Sequence, residues 1–524
     1  MTQTAPVPAD HASVADTLDA WLTTFGDTDA NAAELLVDRH DPSAVAFTTI
    51  DIDGDRLTTV DLTYGALADA SKRFATALAD LGVGRGDTVG VLMGKRSELV
   101  VSLLAIARLG AVYIPLFTAF APPAIEMRLT AGAARVVITE PSQADKLDGI
   151  GGITTIVAGD QFDALVTGND PVAESVSVGG DGSLILLFTS GTTGAPKGVP
   201  VPVRGLASFC CYMHYGLDVS ADDVFWNAAD PGWAYGLYYG ILGPLALGRR
   251  NLLLHAGFSA ELTARIIREL GVTNFAAAPT VYRTLSKDPS FTGFSLRRAS
   301  SAGEPLTPDV IDWALSALQT EVRDHYGQTE HGMFINNHWH PDVAEPLVPG
   351  SMGKPMPGFA AGIVDGQIAI DVEQSPLMWF TGYLDAPDKT AARFTDDKKW
   401  YLTGDTGRVD EDGRYFFSAR DDDVIIMAGY RIGPFDVESV LITHASVVDV
   451  AVVGRPDELR GEVLEAFVVL ADGVVGSDEL ERELQQLVKT GFAAHAYPRT
   501  VHFVDSLPKT PSGKIQRFIL RKQE

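Results

Sequence analysis

Between Asp87 and Glu140 the chain alternates two hydrophobic periods. The strand-like runs "DTVGVLM" (Asp87–Met93) and "ARVVITE" (Ala134–Glu140) bracket the helix-patterned "SELVVSLLAIARLG" (97–110). Apolar strands separated by amphipathic helices predict a parallel sheet with helices packed on its faces. A second alternating stretch runs from Phe188 to about Tyr326. Ahead of the first lie a helix over 13–24, a hairpin turning at Asp53-Gly54, and a helix ending at Gly82. Past residue 350 the texture changes. "AGIVDGQIAID" and "GRVDEDGRYFF" are Asp-Gly hairpins, so strand follows strand there without helices.

A chain of 524 residues exceeds what one hydrophobic core serves. The fold class expected is α/β: a large N-terminal domain of parallel-rich sheets with a β-rich subdomain, and a small, mobile α+β C-terminal domain. The boundary is placed in "SARDDD" (Ser418–Asp423), giving domains 1–421 and 422–524.

The net charge of -27 argues against a nucleic-acid partner or an anionic membrane surface, and it suits solubility. The only cysteines, Cys210 and Cys211, are adjacent, a spacing that suits neither a zinc site nor an ordinary disulfide. A reducing compartment is expected. The opening "MTQTAPVPADHASVADTLDAW" has no basic and apolar leader pattern, and no apolar run approaches the ~18 residues of a membrane span. These features predict a cytoplasmic protein without membrane insertion.

Chemistry is concentrated in "FTSGTTGAPKG" (Phe188–Gly198), which follows the apolar run Leu184–Phe188. Glycines let backbone N–H groups converge on an anion, hydroxyls add donors, and Lys197 brings a positive charge. The common phosphate loop G-x-x-x-x-G-K-[ST] is absent, because the fifth residue after Gly191 is Pro196 and Gly198 follows the lysine. This loop closely resembles the signature of the adenylate-forming superfamily: acyl-CoA synthetases, peptide-synthetase adenylation domains and firefly-type luciferases. Five further motifs follow in that family's order. They are "SAGEPL" (Ser301–Leu306), "YGQTE" (Tyr326–Glu330), "YLTGDTG" (Tyr401–Gly407), "RDDD…AGYRIGP" (Arg420–Pro434) and "PKTPSGKIQR" (Pro508–Arg517).

The resemblance implies a two-step ligase that uses ATP, Mg2+ and coenzyme A. A carboxylate attacks the α-phosphate, and a thiol then displaces AMP from the acyl-adenylate. It gives the β- and γ-phosphates to Thr189, Ser190, Gly191, Thr192, Thr193, Gly194 and Lys197. It gives the adenine to Gly303, Glu304, Pro305 and the ring of Tyr326, with Gly327 and Gln328 beside them. Thr329 would reach the α-phosphate and Glu330 would ligate Mg2+, which wants carboxylate oxygen plus substrate phosphates. Asp405 and Arg420 would hold the ribose, and Arg431 would lie near the adenylate phosphate or coenzyme A. Gly429 and Lys489 fall to the coenzyme A side, and Asp422 to the hinge. Lys514 would bridge the attacking carboxylate and the α-phosphate as charge develops. The tail supports that placement on its own terms: residues 485–524 hold seven Lys/Arg and two acids in a strongly acidic chain.

Three positions depart from the common pattern. Ala419 replaces a glycine, Ala428 a serine, and His331 a threonine. The first two touch the coenzyme A region.

The acyl pocket is assigned to Trp233, Tyr235, Gly327 and His331, within reach of the aromatic-rich "ADPGWAYGLYYGILGPLALG" (Ala228–Gly248), whose Tyr238 and Tyr239 compete as core residues. Two clues to acid length conflict. "IPLFTAF" (Ile114–Phe120) resembles acetate- and propionate-activating relatives. Gly327 resembles medium-chain relatives, since acetate-specific enzymes tend to carry tryptophan there. The expected substrate is a small carboxylic acid, short to medium in chain length. The alternatives are an acetate/propionate ligase, an adenylating domain serving a carrier protein, a luciferase-like oxygenase, and a non-catalytic nucleotide-binding protein. Retention of both Lys514 and Glu330 argues against the last of these.

Overall fold

A computed structural model describes residues 12–54, 56–189, 196–420, 423–427, 430–457, 460–509 and 515–523. Ser190, Gly191, Thr192, Thr193, Gly194, Asp422, Ala428, Gly429 and Lys514 therefore lie outside the described residues, as does the side chain of Arg431.

Both alternating stretches form parallel-rich sheets. In the first, the strands Thr154–Val157, Val136–Thr139, Thr88–Leu92, Val112–Pro115, Ser183–Thr189 and Lys197–Pro202 lie side by side in that order. All neighbouring pairs are parallel except the last, an antiparallel hairpin in which Thr189 faces Lys197. The second sheet has nine strands, with Phe225–Asn227, Asn251–Leu254, Asn274–Ala277, Arg298–Ala302 and Val322–Gln328 parallel at its centre. The expected hairpin Val45–Asp53/Arg56–Thr63 extends one edge of it, and Gly332–Asn336 extends the other.

The central strands are buried on both faces, whereas the edge strand Arg56–Thr63 is mostly exposed, and the buried side chains feed three cores. The largest core lies between the sheets and takes Val89, Val91, Leu184 and Ile185 from one, and Ala276, Ala302, Phe334 and Ile335 from the other. It also takes the apolar faces of the helices Tyr64–Asp80, Ser97–Arg108 and Gly205–Cys211. A second core covers the outer face of the nine-stranded sheet with the helices Ala260–Leu270, Pro279–Ser286 and Pro308–Ala317. The third covers the six-stranded sheet with Pro122–Ala131. Five layers alternate between helix and sheet. Ligands on such sheets bind outside the carboxyl ends of the strands, where Thr189, Ala302 and Gln328 terminate theirs.

The Asp-Gly hairpins form a separate antiparallel sheet of Ala361–Val364, Gln367–Asp371, Trp400–Val409 and Tyr415–Arg420. After Arg420 the chain builds a further sheet around the long hairpin Val447–Asp457/Gly461–Leu470. That sheet packs its own core against the helices Pro434–Leu441 and Asp478–Gly491. No helix among the described residues is long and apolar enough to cross a membrane. Cys210 and Cys211 are buried free thiols.

Candidate active site

The hairpin Val322–Gln328/Gly332–Asn336 carries most of the site. On it, Tyr326 donates its hydroxyl to Asp405 Oδ2 at 2.5 Å, and Gln328 Nε2 reaches the same oxygen at 2.6 Å. Arg420 Nε stands 3.2 Å from Asp405 Oδ1. Two distant motifs are thereby tied together before any ligand arrives. Burial and the Asp405 carboxylate hold the Tyr326 phenol well above its ordinary range, so it stays a neutral donor. Asp405 Oδ2 is committed to these two donors, while Oδ1 keeps acceptor capacity beside Arg420.

Glu330 is 6% exposed, and its Oε1 accepts from the Tyr383 hydroxyl at 2.8 Å. Arg393 Nε donates to that hydroxyl at 3.0 Å, and Arg393 Nη1 to Thr403 O at 3.1 Å. Lys197 Nζ sits 4.8 Å from the centre of the Tyr383 ring. One tyrosine thus joins the lysine of the glycine-rich loop to the carboxylate of "YGQTE" by its face and its edge. Burial and the Arg393 charge lower the Lys197 pKa, with Glu330 opposing them. Neither Tyr383 nor Arg393 belongs to a motif read from the sequence. They come from "FTGYLDAPDKTAARF", whose only signal was an arginine and a tyrosine amid turn residues.

Gly303 follows the strand Arg298–Ala302 with φ +104°, a backbone region open to glycine. Glu304, in the same turn, is held by Arg283 Nη2 at 2.7 Å and Thr280 Oγ1 at 3.0 Å. The turn's carboxylate is therefore occupied by protein partners. Sequence reading passed over Asp324, two residues before Tyr326. Its Oδ2 accepts from Leu306 N at 3.3 Å, its Oδ1 has no partner among the described residues, and burial raises its pKa to about 8. A carboxyl in a β-patterned run was the available signal.

Of the four residues assigned to the acyl pocket, Trp233 and Tyr235 lie in the aromatic-rich segment, and Gly327 and His331 lie on the hairpin or its turn. Trp233 packs on Phe117 and Phe120, with ring centres 5.3 and 5.4 Å away. The "IPLFTAF" segment and the "ADPGW" turn thus meet in one aromatic wall. Tyr235 is part-exposed, whereas Tyr238 and Tyr239 are buried: the Tyr238 hydroxyl donates to Thr329 O (3.0 Å), and the Tyr239 hydroxyl accepts from the Met333 N–H (2.7 Å).

Gly327 is not an open wall. A Cβ placed on it would stand 2.2 Å from the Gly332 carbonyl oxygen and 2.6 Å from Met333 Cα, because the partner strand crosses there at a register shift. The glycine answers a backbone demand. His331 is fully buried, packs on Phe334 and Tyr401, and bonds Gly332 O through Nδ1 at 2.9 Å. It is a core histidine, and burial lowers its pKa to about 3. Lys489, on the helix Asp478–Gly491, lies over the Tyr497 ring at 3.9 Å, within the C-terminal part and apart from the contacts above.

Comparison with known proteins fits this geometry. The family model described as AMP-binding enzyme matches residues 37–373, and AMP-binding enzyme C-terminal domain matches 436–514. An acetyl-coenzyme A synthetase of Bacillus subtilis is 35% identical over 94% of this chain and 90% of its own. The mitochondrial acyl-coenzyme A synthetase ACSM3 of Mus musculus is 34% identical, covering 91% of this chain and 86% of its own. Among solved structures, a Brucella canis acyl-CoA synthetase is 43% identical with TM-score 0.75, covering 98% of this chain and 97% of that one. The ATP-bound MatB of Rhodopseudomonas palustris superposes with TM-score 0.84 at 27% identity, over 94% and 98% of the two chains.

Proposed function

As the chain belongs to the AMP-binding enzyme family and, within it, to the AMP-forming acyl-CoA ligases, we propose that it activates a short- to medium-chain carboxylic acid for transfer to coenzyme A. The observation that carries this reading is a linked pair of clusters: Lys197 and Glu330 meet on Tyr383, Tyr326 and Gln328 meet on Asp405, and Thr403 O accepts from both Gln328 and the Arg393 that bonds Tyr383. That grouping supports a site in which Lys197 would meet phosphate, Glu330 a hard metal ion, Tyr326 a base and Asp405 the ribose hydroxyls.

ATP would lie with its purine between Tyr326 and the Gly303–Pro305 backbone, its amino group towards Asp324, and its ribose on Asp405 Oδ1 and Arg420. The acid's carboxylate oxygen attacks the α-phosphorus and the bond to pyrophosphate breaks. The thiol sulfur of coenzyme A then attacks the acyl carbonyl, AMP departs, and the thiol proton is lost to solvent. Thr329 and Lys514 would stabilise the charge that develops in the first step. Asp422 would be the pivot on which the small domain turns between steps. Arg431, Gly429 and Lys489 remain our proposals for the phosphate and coenzyme A contacts of that second arrangement.

The residues present fit Mg2+. One carboxylate with substrate phosphates and water is its usual protein complement, and Glu330 supplies that carboxylate. Bound there, Mg2+ would neutralise phosphate charge. Glu330 would supply the ligand oxygen, oriented by Tyr383 and Arg393. Tyr383→Phe should therefore raise the half-saturating Mg2+ concentration by about tenfold, while the KM for the acid moves little. Titrating exchange activity against Mg2+ checks this, and an unchanged midpoint removes Tyr383 from the metal site.

The test of the function is acid-dependent ATP–pyrophosphate exchange, then AMP release with coenzyme A, across acetate to octanoate and benzoate. Each methylene buried contributes about 0.8 kcal/mol, roughly fourfold in kcat/KM. Propionate to hexanoate should outperform acetate, and an acetate optimum would select the acetate/propionate reading. Exchange without thioester formation would select an adenylating protein that serves a carrier.

A further inference from the structure

Tyr235 is joined to a buried polar chain that has one direction. Its hydroxyl lies 3.1 Å from the Tyr212 hydroxyl, which lies 2.7 Å from His325 Nδ1, and His325 Nε2 lies 3.1 Å from the Asn337 carbonyl oxygen. A carbonyl only accepts, so His325 Nε2 carries the proton. Burial lowers the His325 pKa to about 3, so the ring is neutral and its Nδ1 is a lone pair. Tyr212 therefore donates to Nδ1. Its single hydrogen is then spent, and the bond between the tyrosines must run from Tyr235 to Tyr212. Tyr235 in turn spends its hydrogen, leaving an oxygen with lone pairs and nothing to donate.

Tyr212 is fully buried and His325 is 2% exposed, whereas Tyr235 is part-exposed. The free lone pairs thus sit on the one member of the chain that keeps partial exposure as a residue. Its place is set by chain geometry. Tyr235 lies on Ala234–Leu237, directly after the Trp233 turn, and His325 precedes Tyr326 on its strand. Both tyrosine-bearing helices open into a wide π-helical turn at this contact, Tyr212–Gly216 and Tyr238–Leu242, a departure from α-geometry often found at functional sites.

We infer that the acyl pocket selects acids bearing a hydrogen-bond donor, a hydroxyl above all, which the acceptor-only oxygen of Tyr235 receives through the chain Tyr235–Tyr212–His325–Asn337. The inference rests on the acid-activating reading above. A methyl group at that point leaves the Tyr235 lone pairs dry and unpaired, and a ketone oxygen sets lone pair against lone pair.

The experiment compares kcat/KM within pairs of equal size: 4-hydroxybutanoate with pentanoate, 5-hydroxypentanoate with hexanoate, 3-hydroxybutanoate with 3-methylbutanoate, and 4-hydroxybenzoate with 4-methylbenzoate. The ketone 4-oxopentanoate is run against 4-methylpentanoate. At least one hydroxy acid should exceed its methyl partner by about fivefold to tenfold, and the ketone should not. In Tyr235→Phe, which keeps the ring, that ratio should fall to about one. In Tyr212→Phe, Tyr235 regains a free proton and the ketone should gain on the hydroxy acids. A merely structural role would change all acids in proportion and leave the ratios alone. Methyl partners preferred in every pair, or a ratio unmoved in Tyr235→Phe, overturns the inference. Failure of every acid to support pyrophosphate exchange instead overturns the acid-activating reading, and this inference with it.

Discussion

Lys514→Ala is expected to lose acid-dependent pyrophosphate exchange by about a hundredfold to a thousandfold, the range for deleting one group that stabilises developing charge. Thioester formation from a preformed acyl-adenylate should be largely spared. The reason is the order of charges. The first step joins a carboxylate to a polyphosphate and needs a cation besides Lys197, which lies against Tyr383 on the Glu330 side of the site. The second step starts from a mixed anhydride whose carboxylate charge is already gone. Running the two half-reactions separately on the folded mutant decides the matter. Equal loss in both would move Lys514 from transition-state stabilisation to structural support of the C-terminal part.

The fold was readable because period and turn chemistry agreed. Continuous apolar strands between amphipathic helices became the two parallel-rich sheets, and the Asp-Gly hairpin between Ala361–Val364 and Gln367–Asp371 turns with Asp365 and Gly366 both at positive φ. The site was readable only where chemistry is local in sequence. Asp405 could be singled out from "TGD", but its ties to Tyr326 and Gln328 span 79 and 77 residues. Tyr383 was invisible because its role lies in joining Lys197 to Glu330, neither of which is near it in the chain. Tyr212 and His325, 113 residues apart, form a hydrogen bond that no periodicity encodes. His331 shows the converse. Its neighbour Glu330 bonds Tyr383, but the next residue along the turn points into the core.

Gly327→Ala is the sharper measure of what that hairpin tolerates, because the expected result reverses the simple view that a missing side chain means an open pocket. The added methyl would press on the Gly332 carbonyl and the Met333 backbone at 2.2 and 2.6 Å, and backbone yields less readily than a flexible side chain. The strands Val322–Gln328 and Gly332–Asn336 would have to part at the bend between Tyr326 and Glu330. Overpacking of this kind costs about 1–3 kcal/mol. The disturbance also falls between the ring proposed for adenine and the carboxylate proposed for Mg2+. Activity should drop by at least about tenfold towards every acid, with a raised KM for ATP and a lower urea midpoint. Gly327→Trp should be worse in all three respects, with no reversal of acid preference. If instead the tryptophan variant folds normally, keeps its KM for ATP and turns from longer acids to acetate, then position 327 faces the acyl chain and the strand crossing must relax to admit the ring. The acid series measured on both variants, beside urea unfolding of each, separates a steric wall from a backbone requirement.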